Sequence, residues 1–280
     1  MSDKFIYREF HSGTEFCPFL SVKNLILIQL ILLILFFQGC IFFPHRQKSQ
    51  LFLTSDNIEN IIRNTIKQED IVSEFYSTGT LTINGWILDT SVDIFIAGER
   101  DPFTLKIEIS HSWGKPLFSL LIKEDRLEIR DFIDKKQYTG KFTPANLSRF
   151  LPNMDCSSDM IWSFFRAYPQ FFSYARVYES TPGVLNLEDS HKNILGTMTF
   201  FPGKGIKEAV SSPPRFLNMK FTDFQKTGDI DYAVKTVVED IKGKKDLTLK
   251  RNKIIFNKDI PDEIFSLKNQ PYFEIVSLDD

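Results

Sequence analysis

The sequence predicts an α+β fold in which one curved antiparallel sheet wraps round its helices. Three observations lead there. From Phe75 onward, short stretches alternate apolar and polar residues with period 2 and are separated by turn residues. Helical patterning is confined to one segment ahead of these stretches and two in their midst. The composition, with 28 Phe against six Ala, favours sheet and a large apolar interior. The implied order is one helix, five strands, two helices and about six strands. No repeat, low-complexity segment or second boundary divides residues 55–280, which read as one domain.

The N-terminus reads as an export signal. Residues 25–37, "LILIQLILLILFF", follow Lys23 and have the length of a signal-peptide core, short of the ~20 apolar residues of a spanning helix. "FQGC" at 37–40 resembles a bacterial lipobox, with Gly39 and Cys40 matching and Phe37 standing where Leu is usual. On this reading residues 1–39 are a lipoprotein signal peptide and Cys40 is the lipidated mature N-terminus. The competing reading makes residues 25–43 an uncleaved anchor; Gln38 and Gly39 would interrupt such a helix. Either way the domain lies outside the cytoplasm. The segment before the apolar core is long and carries as many acidic as basic residues, so a start downstream of Met1 would give a more usual leader. With Cys40 lipidated and Cys17 removed, Cys156 has no intramolecular partner.

Residues 40–54 read as the lipidated Cys and a flexible tether, reaching on the order of 45 Å when extended. Asp56 suits an N-cap with Glu59 three residues on, and Ile58, Ile61, Ile62 and Ile66 fall on one face of a helix from about 56 to 69. "TLTI", "SVDIFIA", "FTLKIEIS", "LFSLLIK" and "RLEIRDF" then make a five-strand meander. In "FTLKIEIS", Phe103, Leu105, Ile107 and Ile109 share a dry face, while Thr104, Lys106, Glu108 and Ser110 share the other. Two helices follow, one with Thr143 as N-cap and Pro144 at its first position, the other starting at Ser157 or Ser158 and carrying Met160, Ile161, Trp162, Phe164 and Phe165. Strand patterning returns in "YARVYES", "VLNLED", "ILGTMTFF", "RFLNMKFTDF", "YAVKTVVEDI" and "DLTLKRNKIIF".

Within the meander, "HSWGKP" at 111–116 joins two strands, and Trp113 is out of place among turn residues. A large ring on a turn either folds back onto the core or is presented outward. Trp86, after Asn84-Gly85, raises the same question and is read as packing on a neighbouring strand; Trp162 is read as core or cavity wall. The lysines at 242–245, with Lys250, Arg251 and Lys253, read either as an edge hairpin guarded against mispairing or as a contact for anionic head groups.

A net charge of −2 gives no basic field, so nucleic acid is not an expected partner. His45, His111 and His191 are scattered, Cys156 has no His in a recognised spacing, and "PGKGIK" lacks the spacing and the Lys-Ser/Thr end of a phosphate loop. Asp155 and Asp159 read as helix-start carboxylates. The expectation is a protein that is not an enzyme and carries no cofactor or metal.

The succession of lipobox, short helix, meander with Trp113-Gly114 at a strand connection, "QYTGKFTPANLSRFLP" and a Trp-bearing helix resembles the LolB family of outer-membrane lipoproteins, within the LolA/LolB superfamily. The resemblance spans about residues 56 to 256 and is strongest from Phe103 to Tyr168; "IPDEIFSL" also resembles the ends of LolA-like sequences. It implies an incomplete β-barrel of about eleven strands covered by about three helices and enclosing an apolar cavity. It implies acyl chains of lipoproteins as cargo, a LolA-like periplasmic carrier as donor, and outer-membrane lipids as acceptor. Trp113 and Gly114 would form the membrane-inserting loop. Phe103, Leu105, Ile107, Ile109, Phe118, Leu120, Trp162 and Phe165 would line the cavity. The expected protein is a monomer anchored on the periplasmic face of the outer membrane. The rival is a related lipoprotein that binds another amphiphile or serves as a scaffold without transport.

Overall fold

A computed structural model describes residues 53–84, 89–150, 157–170, 174–201, 205–211, 217–240, 245–267 and 270–279. Fourteen strands form one sheet among these residues: β1 (Glu74–Asn84), β2 (Asp89–Glu99), β3 (Thr104–Ser110), β4 (Pro116–Lys123), β5 (Arg126–Asp131), β6 (Lys136–Lys141), β7 (Arg176–Thr181), β8 (Val184–Glu188), β9 (Ile194–Phe201), β10 (Gly205–Ser211), β11 (Leu217–Thr227), β12 (Ile230–Asp240), β13 (Lys245–Phe256) and β14 (Glu274–Ser277). The order across the sheet is β14-β6-β5-β4-β3-β2-β1-β13-β12-β11-β10-β9-β8-β7. Every pairing is antiparallel except that of β14 with β6. The sheet is curved and does not close, leaving β14 and β7 as its edges: an incomplete barrel with more strands than the eleven expected. The three additional strands are β6, β10 and β14.

Curvature has a local cause at the centre of the sheet. A register shift at Thr78/Gly79 leaves Asn252 as an extra residue on β13, a bulge opposite β1, and bulges bend and twist the strand that carries them. Gly79 permits the approach: a Cβ there would collide with the Lys250 carbonyl oxygen. Gly98 on β2 is similarly confined, because a Cβ would sit 2.9 Å from the buried Phe75 ring. Gly98→Ala is expected to cost about 1–3 kcal/mol through overpacking, read as a lower denaturation midpoint with an unchanged m-value.

The helices fill the concave side. α1 (Ser55–Asp70) is capped by Thr54, whose hydroxyl accepts from the Asn57 amide, rather than by Asp56. Its buried residues are Ile62, Thr65 and Gln68, whereas Ile66 is exposed. The expected isoleucine face is thus rotated, because Gln68 bridges to the sheet. Its amide donates to the Asp229 carbonyl and accepts from the Asp231 amide. α2 (Pro144–Ser148) has the expected Thr143 cap and Pro144 start. α3 (Ser158–Arg166) starts from Ser157, whose hydroxyl accepts from Met160, and ends at Ala167 in left-handed conformation. All but its first two residues are buried, and Trp162 meets Phe75 edge to face at 5.2 Å.

The outer face is not uniformly wet. A 3₁₀ turn, Asp262–Phe265, lies across it and buries Ile260 and Phe265 against Ala97 and Leu121 in a second, small apolar cluster. Lys106, expected on the solvated face of β3, is only 8 % exposed and extends its ammonium group to Glu108 at 2.9 Å. Long cationic side chains bury their stems while keeping the charged head paired. β13, read as one arm of an edge hairpin, is instead central, between β1 and β12, and Arg251 points into the core.

Candidate functional site

The connection between β3 and β4 is a three-residue hairpin loop. The His111 amide donates to the Lys115 carbonyl at 2.9 Å, and the Gly114 amide donates to the His111 carbonyl at 2.7 Å. Gly114 has φ +83, and nothing lies within 4 Å of where a Cβ would stand. This is a tight turn followed by a left-handed glycine, the combination that returns a three-residue loop into its strand. With its backbone so fixed, the loop holds Trp113 outward at 72 % exposure. The indole's ring contact is with the His111 imidazole, stacked at 4.1 Å and 9°. The outward orientation of Trp113 is therefore built into the turn, and the His111 stack limits how the indole swings.

Beneath the loop, on the outer face, runs a groove of about 530 Å³ lined by Thr78, Asp93, Phe95, Glu108, Pro116 and Phe132, among others. Its walls mix carboxylates, hydroxyls and rings, and it lies on the face opposite the apolar concavity.

The residues expected to line a cavity are brought together on the concave side. Leu105, Ile107, Leu120, Trp162 and Phe165 are buried in one apolar cluster, and Phe103, Ile109 and Phe118 are half-buried against it. Phe103 stands just ahead of β3, beside Glu124, whereas Ile109 and Phe118 pair at the other end of that strand, next to the Trp113 loop. Phe103 stacks on Phe142 at 6.0 Å, and Phe118 and Tyr138 meet Phe150 at 6.3 and 4.9 Å. These rings edge an otherwise closed core at both ends of β3. Cys40, Cys156, Trp86 and residues 241–244 lie outside the described residues, as do residues 1–52.

Two arginines that the sequence reading did not assign to the interior are among its most buried groups. Arg166 ends α3 and donates to the Asp231 and Gln68 carbonyls. It also lies 4.6 Å over the Tyr168 ring. Arg251 donates to the carbonyls of Phe164, Phe165 and Ala233 and, at 2.8 Å, to the Thr236 hydroxyl. Burial pulls the Arg166 guanidinium down to about 10 and, with Arg166 nearby, that of Arg251 down to about 9, so both are charged at neutral pH. Burial pushes the Tyr168 phenol above its usual range. These guanidinium acceptors are neutral oxygens, with the Phe164 and Phe165 carbonyls at the negative end of the α3 dipole. The trace this leaves in the sequence is slight: Arg166 follows the apolar Phe164-Phe165, and Arg251 continues the alternate face of Leu247 and Leu249.

Among the described residues, no group of three or more His, Cys, Asp or Glu side chains is placed to hold a metal ion. No described helix is long and apolar enough to cross a membrane.

No protein-family model matches the chain, and no curated protein matches it in sequence. Among solved structures, the chain is similar to a LolA superfamily protein from Nitrosomonas europaea, with a TM-score of 0.48 and 12 % identity over 75 % of this chain and 97 % of that one. It is also similar to a DUF1329 family protein from Desulfovibrio piger, with a TM-score of 0.49 and 9 % identity over 75 % of this chain and 97 % of the other.

Proposed function

We propose that this chain is a lipid-anchored protein of the bacterial envelope that holds the acyl chains of lipoproteins against its concave face and passes them into the outer membrane, as LolB does. The observation that carries the proposal is the fixed outward presentation of Trp113 at 72 % exposure, on a rigid hairpin of a sheet whose concave face is aliphatic and aromatic. A surface ring held in place by its turn, with no core to cover, suits insertion into a lipid interface.

Cys40 is the lipidated residue on this reading, residues 41–54 are the tether, and a LolA-like periplasmic carrier delivers the cargo. Lipidation contributes about 0.8 kcal/mol of membrane attachment for each buried methylene, so a multiply acylated Cys40 needs no help from the loop. Trp113 and Gly114 then act locally, at the point of release. The margin at Ile109 and Phe118, at the Trp113 end of the sheet, is where a chain enters, since these residues are already half in contact with solvent. To lie against Leu105, Ile107, Leu120, Trp162 and Phe165 it must part the core in which they are buried.

The test is acyl binding. Solvent extraction of the purified full chain should release acyl chains beyond those of its own anchor. A fluorescent acylated peptide should bind, and Phe118→Asp should weaken it about tenfold, the loss of ~1.4 kcal/mol that placing a charge at the margin would readily cause. Extraction that yields nothing, together with no binding of the peptide, would mean a scaffold rather than a carrier.

A further inference from the structure

Resting on that reading, we infer that the membrane contact is a platform of three loop tips rather than the Trp113 hairpin alone, with Ile133 and Tyr272 as its second and third points. The strand order places them. Ser110 pairs with Pro116, Phe118 with Asp131, and Asp131 with Lys136, so the β3–β4 and β5–β6 hairpins leave the sheet at the same end. β14 runs parallel to β6 with Glu274 opposite Lys136, so Tyr272 enters from that end too. The tips are tied together. The Phe132 amide donates to the Leu117 carbonyl at 3.1 Å, and Phe132 meets Phe273 edge to face at 5.4 Å. Phe132 also shares the outer groove with Gly114 and Pro116.

At this end Ile133 is 72 % exposed and Tyr272 86 %, matching Trp113. Strands are ~4.8 Å apart, so the three side chains span about 15–20 Å along one rim. Three reasons make a lipid surface their occupant. The side chains stand on separate convex tips, which penetrate an interface, and none of the three lines the outer groove behind them. They are a Trp, a Tyr and an Ile, with Lys115 and Lys135 two residues beyond Trp113 and Ile133; aromatic rings with a polar edge and snorkelling lysines suit the head-group boundary. The tether also reaches. Leu53 is held at β7 by a hydrogen bond to Glu179, and the chain from Cys40 to Leu53 extends to ~43 Å at ~3.3 Å per residue. An eleven-residue strand such as β1 spans only ~36 Å. A protein anchored at Cys40 can therefore set this rim on the bilayer that holds the anchor.

Charge does not drive the contact. Lys115, Lys135 and Lys136 are balanced at the rim by Asp131, Asp134 and Glu274. Contact should therefore form on zwitterionic lipid and persist in high salt.

The test places spin labels on the full chain, in a Cys17→Ser, Cys156→Ser background, reconstituted in phosphatidylcholine vesicles. Labels go at Ser112→Cys, Asp134→Cys and, at the far end of the sheet, Asp125→Cys. Power saturation should shift the Ser112 and Asp134 labels to lipid-like oxygen accessibility, unchanged between low and high salt, and leave Asp125 aqueous. Adding Ile133→Ser and Tyr272→Ser should return the Asp134 label to water. If Ser112 enters lipid while Asp134 remains aqueous, the platform is wrong and the Trp113 reading stands. If both remain aqueous, the insertion reading fails and the platform with it. Protection of Asp134 only on adding envelope proteins, or its loss in high salt, would equally overturn the platform.

Discussion

Replacing Trp113 with glutamate is expected to cut delivery of acylated cargo into outer-membrane vesicles by about a hundredfold, with folding and anchoring unchanged. A Trp buries on the order of 200 Å² when it enters an apolar phase, worth a few kcal/mol at about 25 cal/mol per Å². Losing ~3 kcal/mol at the release step is a factor of about 100 in rate. Folding should survive because the indole is exposed and its ring contact is with the equally peripheral His111. The loop geometry is set by main-chain hydrogen bonds and Gly114. Trp113→Leu should retain most delivery, since bulk and hydrophobicity are kept. The measurement is transfer from a loaded carrier to vesicles, with circular dichroism and membrane fractionation as controls. Undiminished transfer by the glutamate variant would sink the insertion step.

Replacing Arg251 with methionine is expected to destabilise the domain by about 4 kcal/mol, against the 1–3 kcal/mol of Gly98→Ala. Methionine approximates the stem, so the cost comes from the acceptors it abandons. Arg251 serves the carbonyls of Phe164 and Phe165 at the end of α3 as well as the Thr236 hydroxyl. Each buried acceptor left alone costs about 1–3 kcal/mol, and removing a buried charge offsets part of the total. Arg251→Lys should recover only part of the loss, because an ammonium cannot reproduce the planar fork that reaches both strand and helix. Denaturant titration of both variants checks the order wild type, lysine, methionine. Equal stability of wild type and methionine variant would show that α3 is held by its apolar face alone.

Both sites differ in how far the sequence disclosed them. Period-2 patterning finds a strand when one of its faces is largely apolar, and most of the eleven strands it found have that character. β6, "KQYTGK", and β14, "EIVS", do not. The first is half-buried nearly throughout and the second is a four-residue edge strand paired with it. β10, "GIKEAVS", starts on Gly205 in left-handed conformation and buries only Ala209 and Ser211. Pairing between distant segments makes these strands, and such pairing has no local signature. The same limit explains α1, where hydrophobic spacing favoured Ile66 and could not foresee that Gln68 would hold the loop between β11 and β12.

The Trp113 loop was legible because its geometry is local: a glycine at the left-handed position and two strands meeting across three residues. The buried arginines were not. Arg251 follows Lys250 and stands two positions before Lys253, and a run of cations reads as solvated surface until β13 is known to lie mid-sheet.

The position of β13 beside β1 also governs how the chain must assemble. β1 to β6 form a succession of adjacent hairpins, and β7 to β13 form another. The two ribbons join only when Phe75 meets Phe256, a contact spanning most of the domain, and β14 must then return to β6. Contacts so remote in sequence carry a large loop-closure entropy and slow the search. The first ribbon, with its apolar side uncovered, has to wait for the last long strand to emerge. Folding is thus completed only once nearly the whole domain is available to pair.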